Sequence, residues 1–554
     1  MKNKKIINID IKNKFIFLPL GGAGEIGMNL NLYHYKNKWL IVDMGLGFTD
    51  KNSPGTNISV PNINFIINEI KDNILGIIIT HGHEDHIGGL PYLWPKINCP
   101  LYATKFTTYL INEKFKNHKL NIQNNIYEIK QNSSIKLGCF NFMMIPITHS
   151  IPETSALLIS TNYGSVFHTG DWRFDNNPII GNKTSIDQLK KIGSKNILAL
   201  IGDSTNIFIN KEAKTEKELE NNLLLTIKKY TYNLVIITTF ASNLSRIQSL
   251  FNIAKKLNKK IILIGGSLWK MYNAGKYSGY LKNEIAYKEK RIKQFKRSEI
   301  ILICTGCQGE KNASLFKIIY NKNIFIKCQQ DDVVIFSSKM IPGNEKKIHK
   351  LYNILSEKKV TLFNEYNQLV HVSGHPSKEE VKKIYDYICP QIAVPIHGES
   401  FHLLEHCKVA KKCGIKHVIQ IKNGNLLHLD KNNPKIIKVV HHGKDLLDGK
   451  NLIDSNNSIF KARSLMCNNG VIFIFVITSS CKANKIHLST PGIFTNHKEK
   501  DTFFNIKKII NKIVENSKGN NINLIKIEIF KLVKNKINHE LKKNPLIEVQ
   551  IISM

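Results

Sequence analysis

Between His81 and His86 the chain reads His81-Gly82-His83-Glu84-Asp85-His86, three histidines and an aspartate within six residues. The apolar β-branched run Ile77-Ile78-Ile79 leads into it through Thr80, and Gly88-Gly89 and a helical pattern follow. A strand that stops and delivers imidazoles and a carboxylate at the spacing H-x-H-x-D-H offers ligands suited to zinc or a similar divalent ion. Alternate residues on an extended segment point the same way, so His81 and His83 can serve one ion while Asp85 and His86 turn toward a second. A lone histidine is more often a satisfied surface or core residue. Four such groups this close together leave that bland reading little room.

The arrangement recurs along the first part of the chain. Trp39–Val42 reads as a strand ending at Asp43, Phe142–Thr148 as one ending at His149, and Ser165–Thr169 leads through Gly170 to Asp171. Ile197–Gly202 then delivers Asp203-Ser204-Thr205-Asn206. Repeated delivery of single metal-competent residues by apolar strands builds a site along one edge of a sheet sandwich. Asp43 is a candidate partner for a ligand histidine, orienting it from behind. The glycine-rich Gly21 to Asn29 follows the strand Phe15–Leu20, lacks the Lys-Ser/Thr of a phosphate-binding loop, and reads as a tight turn.

These residues, taken in order, resemble the metallo-β-lactamase superfamily of metal-dependent hydrolases, an αββα sandwich. The resemblance implies His81, His83 and His149 on one zinc, Asp85 and His86 on another, and Asp171 bridging the two. From about Thr215 to Gln368 the ligand pattern stops. Helices there alternate with short apolar strands, Leu234–Thr239, Ile261–Gly265, Ile300–Thr305 and Val333–Ser337, as in a parallel α/β sheet. Cys304 and Cys307 stand at a pair spacing without a second pair, and read as neither a metal nor a redox site.

The sandwich resumes at His371-Val372-Ser373-Gly374-His375. Ser377 and Glu380 form a capping box before the helical stripe Val381, Ile384, Tyr385 and Ile388, so Gly374 and His375 precede a helix start whose free amides and dipole suit a phosphate. Ile392–Ile396 ends at His397, the ligand the second zinc lacked. With these pieces the chain resembles, over about residues 13–430, the ribonuclease J family of the β-CASP branch. Asp203, His375 and His397 match that branch's three further motifs. Against the family's pattern, Ser245 and Gly266 stand where basic or imidazole residues lining the RNA channel are expected, and Cys307 where serine is usual.

The fold class expected is therefore α/β: a metallo-β-lactamase αββα sandwich with an inserted β-CASP α/β domain and a small C-terminal α+β domain. Residues 1–212 and 369–440 make the sandwich, 213–368 the insertion, 441–460 a linker and 461–554 the last domain, with a strand at Val471–Thr478, basic helices at Phe503–Ile513 and Ile525–Leu541, and a final strand at Pro545–Ile552. The resemblance implies a ribonuclease, active as a 5′→3′ exonuclease and an endonuclease. It implies two zinc ions per chain, which Mn²⁺ or Mg²⁺ can replace, and His375, held by Asp203, giving a proton to the leaving 3′-oxygen. Residues His371 to His375 would contact substrate, single-stranded RNA with a preferred 5′-monophosphate, and the protein would be a homodimer or higher homo-oligomer. The alternatives are another hydrolase of the superfamily, which would not need the insertion or His397, and a catalytically weak RNA-binding subunit, which would not need all seven metal ligands.

Charge agrees with a polyanionic partner. The 554 residues carry 79 Lys and Arg against 43 Asp and Glu, a formal charge of +36. Heavy use of Lys, Asn and Ile throughout weakens that argument. Ten scattered cysteines without a disulfide framework, and Met1 to Lys5 followed by no apolar signal core, fit a reducing cytoplasm. No apolar run approaches the roughly 18 residues a membrane span needs.

Overall fold

The computed structural model describes residues 10–49, 53–122, 125–479, 482–494, 499–516 and 521–553; the lysine-rich start, Met1 to Lys5, lies outside them. Two compact units result. One holds residues up to 47 and 60–443, the other 48–59 and 444–554.

The first unit contains two sheets packed face to face. Eight strands form one sheet, in the order 435–439, 425–428, 16–21, 30–35, 38–42, 74–78, 101–103 and 126–128; seven form the other, in the order 134–137, 140–146, 155–160, 165–168, 199–203, 392–396 and 417–418. Period-two alternation puts Phe17, Tyr33, Leu40, Val42 and Ile78 of the first sheet against Phe142, Leu157, Ile159, Val166, Ile201 and Val394 of the second. Helices cover the outer faces. Leu189, Ile192, Val381, Ile384, Tyr385, Ile388 and Val409 pack under the second sheet, and the helix Leu90–Ile97 buries Leu90, Leu93, Trp94 and Ile97. This is the αββα sandwich that the resemblance to the metallo-β-lactamase superfamily implies.

The strand Ala199–Asp203 pairs in parallel with Ile392–Ile396, its sequence neighbour only across the whole insertion. Between them stands a six-stranded parallel sheet, in the order 286–288, 260–264, 300–304, 235–238, 333–336 and 361–363. Leu234, Ile236, Ile262, Leu302 and Val334 form its core with Leu315, Ile348, Leu351 and Leu355 from covering helices. Cys304 and Cys307 are buried there, and burial pushes the Cys307 thiol up to about 12.

In the second unit the strands Val471–Ser479, Lys482–Ser489 and Leu546–Ser553 make a sheet whose one face, through Ile472, Ile474, Val476 and Val549, packs on Ile506, Ile510, Ile529 and Val533 of the helices Glu499–Asn516 and Ile522–Leu541. Residues 441–460, expected as a linker, include the hairpin Lys444–Asp448 with Asn451–Asp454 and the start of the helix Ser458–Asn469. The alternation Leu446, Leu447 against Leu452, Ile453 is too short to stand out in sequence. Among the described residues no helix is long and apolar enough to cross a membrane.

Candidate metal centre

The strand Ile74–Ile78 stops before His81, and a single helical turn, Glu84–Ile87, turns Asp85 and His86 back toward it. That turn lies against Gly45, where any side chain would put its first carbon 1.7 Å from the Asp85 carbonyl oxygen. His81, His83, His149 and Asp171 converge in one group, and Asp85, His86, Asp171 and His397 in a second; within each group one potential ligand atom per residue lies within 4.8 Å of every other. Asp171, 2% exposed, belongs to both. Its Oδ2 faces His81 Nε2 at 3.8 Å and His149 Nε2 at 3.9 Å, and its Oδ1 faces His86 Nε2 at 3.2 Å and His397 Nε2 at 3.7 Å. Asp85 Oδ2 stands 3.1 Å from His397 Nε2 and 3.5 Å from His86 Nε2.

Hydrogen bonds behind the ligands decide which ring nitrogen turns inward. Thr80 donates its amide to Asp43 Oδ1 at 2.8 Å and its hydroxyl to Asp43 Oδ2 at 2.8 Å. His86 Nδ1–H donates to the same Oδ2 at 2.7 Å, leaving Nε2 for the centre. His81 Nδ1 is 3.1 Å from the Thr80 hydroxyl, and His149 Nδ1 donates to the Gly374 carbonyl at 2.6 Å. On the far side Thr205 donates its amide (2.9 Å) and hydroxyl (2.7 Å) to Asp203 Oδ1, and His397 Nδ1 lies 2.7 Å from that hydroxyl oxygen. Four imidazoles thus have Nδ1 tied outward and Nε2 inward; His83 alone presents Nδ1, 3.0 Å from His81 Nε2 and 3.1 Å from His149 Nε2. Nitrogens tetrahedrally disposed about zinc at its usual 2.0–2.1 Å would lie about 3.3 Å apart, so this donor set fits the ion. Asp43 and His397 both hold left-handed backbone, at φ 64° and 53°, a conformation that costs non-glycine residues and recurs at functional sites.

Burial, with the neighbouring imidazoles, lowers His83 to about 4 and His149 to about 3 and holds His81 well below the ordinary value. Those rings are neutral, the form that ligates. Burial also opposes protonation of His86 and His397, yet Asp171 and the adjoining carboxylates outweigh it and hold both well above the usual range.

Asp203 and His375 lie beside the second group. His375 Nδ1 donates to Asp203 Oδ2 at 2.8 Å, and the His375 side chain is 22% exposed against 0% for Asp203. With Asp171 and His397 they form a third group of metal-competent atoms, but Asp203 and His375 are already committed to each other and to Thr205. Ser373 accepts from Asn206 Nδ2 (2.7 Å) and from the His375 amide (3.2 Å), while Arg173 Nη1 donates to the Ser373 carbonyl at 2.9 Å. Val372 is buried; His371 is enclosed, and burial first, then Arg246, Lys339 and Arg173, hold its pKa well below 6.5.

The helix start differs from the sequence expectation. The Ser377 amide donates to Glu380 Oε2, the Lys378 amide to the Ile209 carbonyl and the Glu380 amide to Ser377 Oγ. Because the capping box and the loop after Asn206 use these donors, and the buried Arg173 is ion-paired with Asp175, the exposed positive charge near Ser373 is that of Lys339, whose Nζ reaches Asn206 Oδ1 at 3.5 Å. Sequence reading passed over Thr80, Thr205, Asn29 and Arg173. Asn29 Nδ2 lies 3.0 Å from His86 Nε2 and donates to the Asp85 carbonyl at 3.2 Å; its only signal was its place at the end of the glycine-rich turn.

Three family models match in succession: a beta-lactamase superfamily domain over residues 53–185, the beta-CASP domain of ribonuclease J over 232–355, and a Zn-dependent metallo-hydrolase RNA specificity domain over 365–420. Ribonuclease J of Sinorhizobium meliloti is 37% identical over 79% of this chain and 78% of its own length. Ribonuclease J of Helicobacter pylori is 32% identical, over 86% and 70%, and ribonuclease J2 of Bacillus subtilis 31% identical, over 89% and 88%. In fold the chain is similar to a protein of unknown function from Enterococcus faecalis, with a TM-score of 0.52 and 16% identity over 74% of this chain and 99% of that one. With a sandwich interrupted by a parallel α/β domain and relatives that match most of its length, the chain belongs to the ribonuclease J family.

Proposed function

We propose that the chain is a metal-dependent ribonuclease that cleaves single-stranded RNA, from the 5′ end as an exonuclease and internally as an endonuclease, in RNA maturation and decay. The observation that carries this is the division of Asp171, one carboxylate oxygen turned to each of two converging ligand groups. His81, His83 and His149 would hold one divalent cation, Asp85, His86 and His397 a second, and Asp171 both. Two such cations, zinc in this reading with Mn²⁺ or Mg²⁺ able to take its place, supply an activated water and neutralise charge on a phosphodiester.

The chain's own residues do the rest. Asp43, through His86 and Thr80, fixes ring orientation on one side, and Thr205 does the same for His397 on the other. Burial lowers the pKa of His375, but Asp203, which accepts from its Nδ1, and Asp171 outweigh that and raise it above the ordinary value. His375 can then give a proton to the departing 3′-oxygen. Ser373, with the exposed Lys339 near it, would meet the 5′-phosphate, and a monophosphate end would be the preferred one.

In the same reading residues 1–212 and 369–440 form the hydrolase domain, 213–368 the β-CASP domain and 461–554 a C-terminal domain, in a cytoplasmic homodimer or larger homo-oligomer. A subunit that only bound RNA would have no use for a complete pair of ligand groups. Incubating the protein with 5′-labelled monophosphorylated RNA, with and without chelator, tests the proposal: cleavage that chelator abolishes and added divalent metal restores is expected, and RNA left intact under every metal condition overturns it.

A further inference from the structure

Close to the metal centre the surface carries an aromatic stack that the catalytic reading leaves unused. Phe208 and Phe401 are 48% and 52% exposed, yet their rings pack on each other with centroids 5.4 Å apart and planes 24° from parallel. His402 closes the group, its ring centroid 4.0 Å from Phe401 and 5.4 Å from Phe208. Phe401 follows His397 by four residues and Phe208 follows Asp203 by five. Segments that short reach at most about 14–18 Å even when fully extended, so the stack stands within a few nucleotides of the centre.

The loop that presents Phe208 and the helix start that presents Phe401 are each tied down by hydrogen bonds or close packing. The Ile207 amide donates to the Ser204 carbonyl, the Ile209 amide to the Asn206 carbonyl and the Lys378 amide to the Ile209 carbonyl. Ser204 Oγ is 2.8 Å from His406 Nδ1. Phe401 and His402 lie in the first turn of the helix Ser400–Lys412, and Gly398 lets that turn approach so closely that an added side-chain carbon would sit 2.8 Å from His402 Cβ and 3.1 Å from Ser204 Cβ. Aromatic surface held rigidly in solvent next to a reaction centre is poorly explained by folding, which would bury it.

We propose that Phe208 and Phe401 form a platform on which one unpaired base of the RNA stacks, holding the strand in register with the metal centre. The proposal rests on the ribonuclease reading. Every base offers a π face, so such a platform tolerates any sequence and suits an enzyme that moves along a strand. Lys339, reaching Asn206 in the same loop, supplies positive charge for the sugar-phosphate backbone beside it. A protein partner would use the apolar surface without the charge.

Full-length protein kept in chelator is titrated with 5′-monophosphorylated oligoribonucleotides, each carrying one 2-aminopurine at a successive position. Quenching confined to one or two adjacent positions is expected, lost in Phe401→Ala and Phe208→Ala and retained in Phe401→Trp. An abasic nucleotide at the quenched position should weaken wild-type binding about 5- to 150-fold, the worth of one stacked base, and leave Phe401→Ala binding unchanged. The abasic comparison on wild type alone serves if a variant does not fold. Equal quenching in wild type and variants, or an equal abasic penalty in Phe401→Ala, overturns the platform while metal-dependent cleavage by the wild type keeps the ribonuclease reading. A change in oligomeric state of the RNA-free variants with quenching intact overturns it in favour of a protein contact. Wild-type protein that neither binds nor cleaves any of these RNAs removes the ribonuclease reading and the platform together.

Discussion

Two buried carboxylates flank the metal centre and use one device for different ends. Asp43, just after the strand Lys38–Val42, and Asp203, the last residue of Ala199–Asp203, are 0% and 1% exposed at the ends of strands of opposite sheets. Each accepts one backbone amide, one threonine hydroxyl and one imidazole N–H: Thr80 and His86 for Asp43, Thr205 and His375 for Asp203. What differs is the direction of the imidazole's other nitrogen. That of His86 faces Asp171, Asp85 and Asn29 in a closed cluster, whereas the His375 ring keeps 22% of its side chain exposed. In the proposed reading the same support makes a ligand on one side and a group able to meet substrate on the other.

The largest expected effect sets the scale of that comparison. His83→Ala or Asp85→Ala should bring RNA cleavage to background and lower bound metal, with the folded protein retained, because a lost ligand removes metal affinity and water activation together. Parallel measurement of metal content and rate checks it; wild-type cleavage by a variant verified to lack metal would end the two-metal reading.

His375→Ala comes next. Metal content should stay at the wild-type level while kcat falls about 10²–10⁴-fold, the usual worth of a general acid. If metal is lost in step with rate, His375 is a ligand and the two sides are alike after all.

Substituting the carboxylates themselves sharpens the contrast. Asp43→Asn should weaken metal retention about 10–100-fold in a chelator competition, as loss of a ligand's outer partner does elsewhere. Asp203→Asn should act mainly on kcat, with a smaller effect on metal through Thr205 and His397. Equal metal loss in both variants would erase the distinction.

The smallest effect concerns the end of the RNA. Ser373→Leu, next to Arg173 and Asn206, should reduce the preference for a 5′-monophosphate over a triphosphate or hydroxyl end by about tenfold, near the worth of one charge-assisted hydrogen bond, and spare internal cleavage. Time courses on three RNAs differing only at the 5′ end read it. Equal wild-type rates on all three would show that the turn is structural.

The strand-tip residues were legible because each stands at the end of an apolar run, and the density from His81 to His86 marks the place without help from the fold. The capping box Ser377 with Glu380 was equally local, and both of its reciprocal bonds form. Thr80, Thr205 and Asn29 escaped notice since their work is done across the fold: a threonine at a strand end is common, and only the meeting of sheets gives its hydroxyl a carboxylate to hold. The pairing of the Lys378 amide escaped for the same reason, because the Ile209 carbonyl that accepts it comes from a loop far away in sequence. The platform of Phe208 and Phe401 joins residues from two distant segments, which no periodicity reveals.

The pairing of Ala199–Asp203 with Ile392–Ile396 also orders events during synthesis. A ribosome adding about 5–20 residues per second needs about 10–40 s to pass from Asp203 to His397. Throughout that interval the nascent chain has its first histidine group translated and the α/β insertion free to fold, but the sheet edge that receives the last ligand has no partner strand. The second group of converging side chains, which needs His397, is therefore incomplete until Ile392–Ile396 has paired with Ala199–Asp203 across the whole insertion.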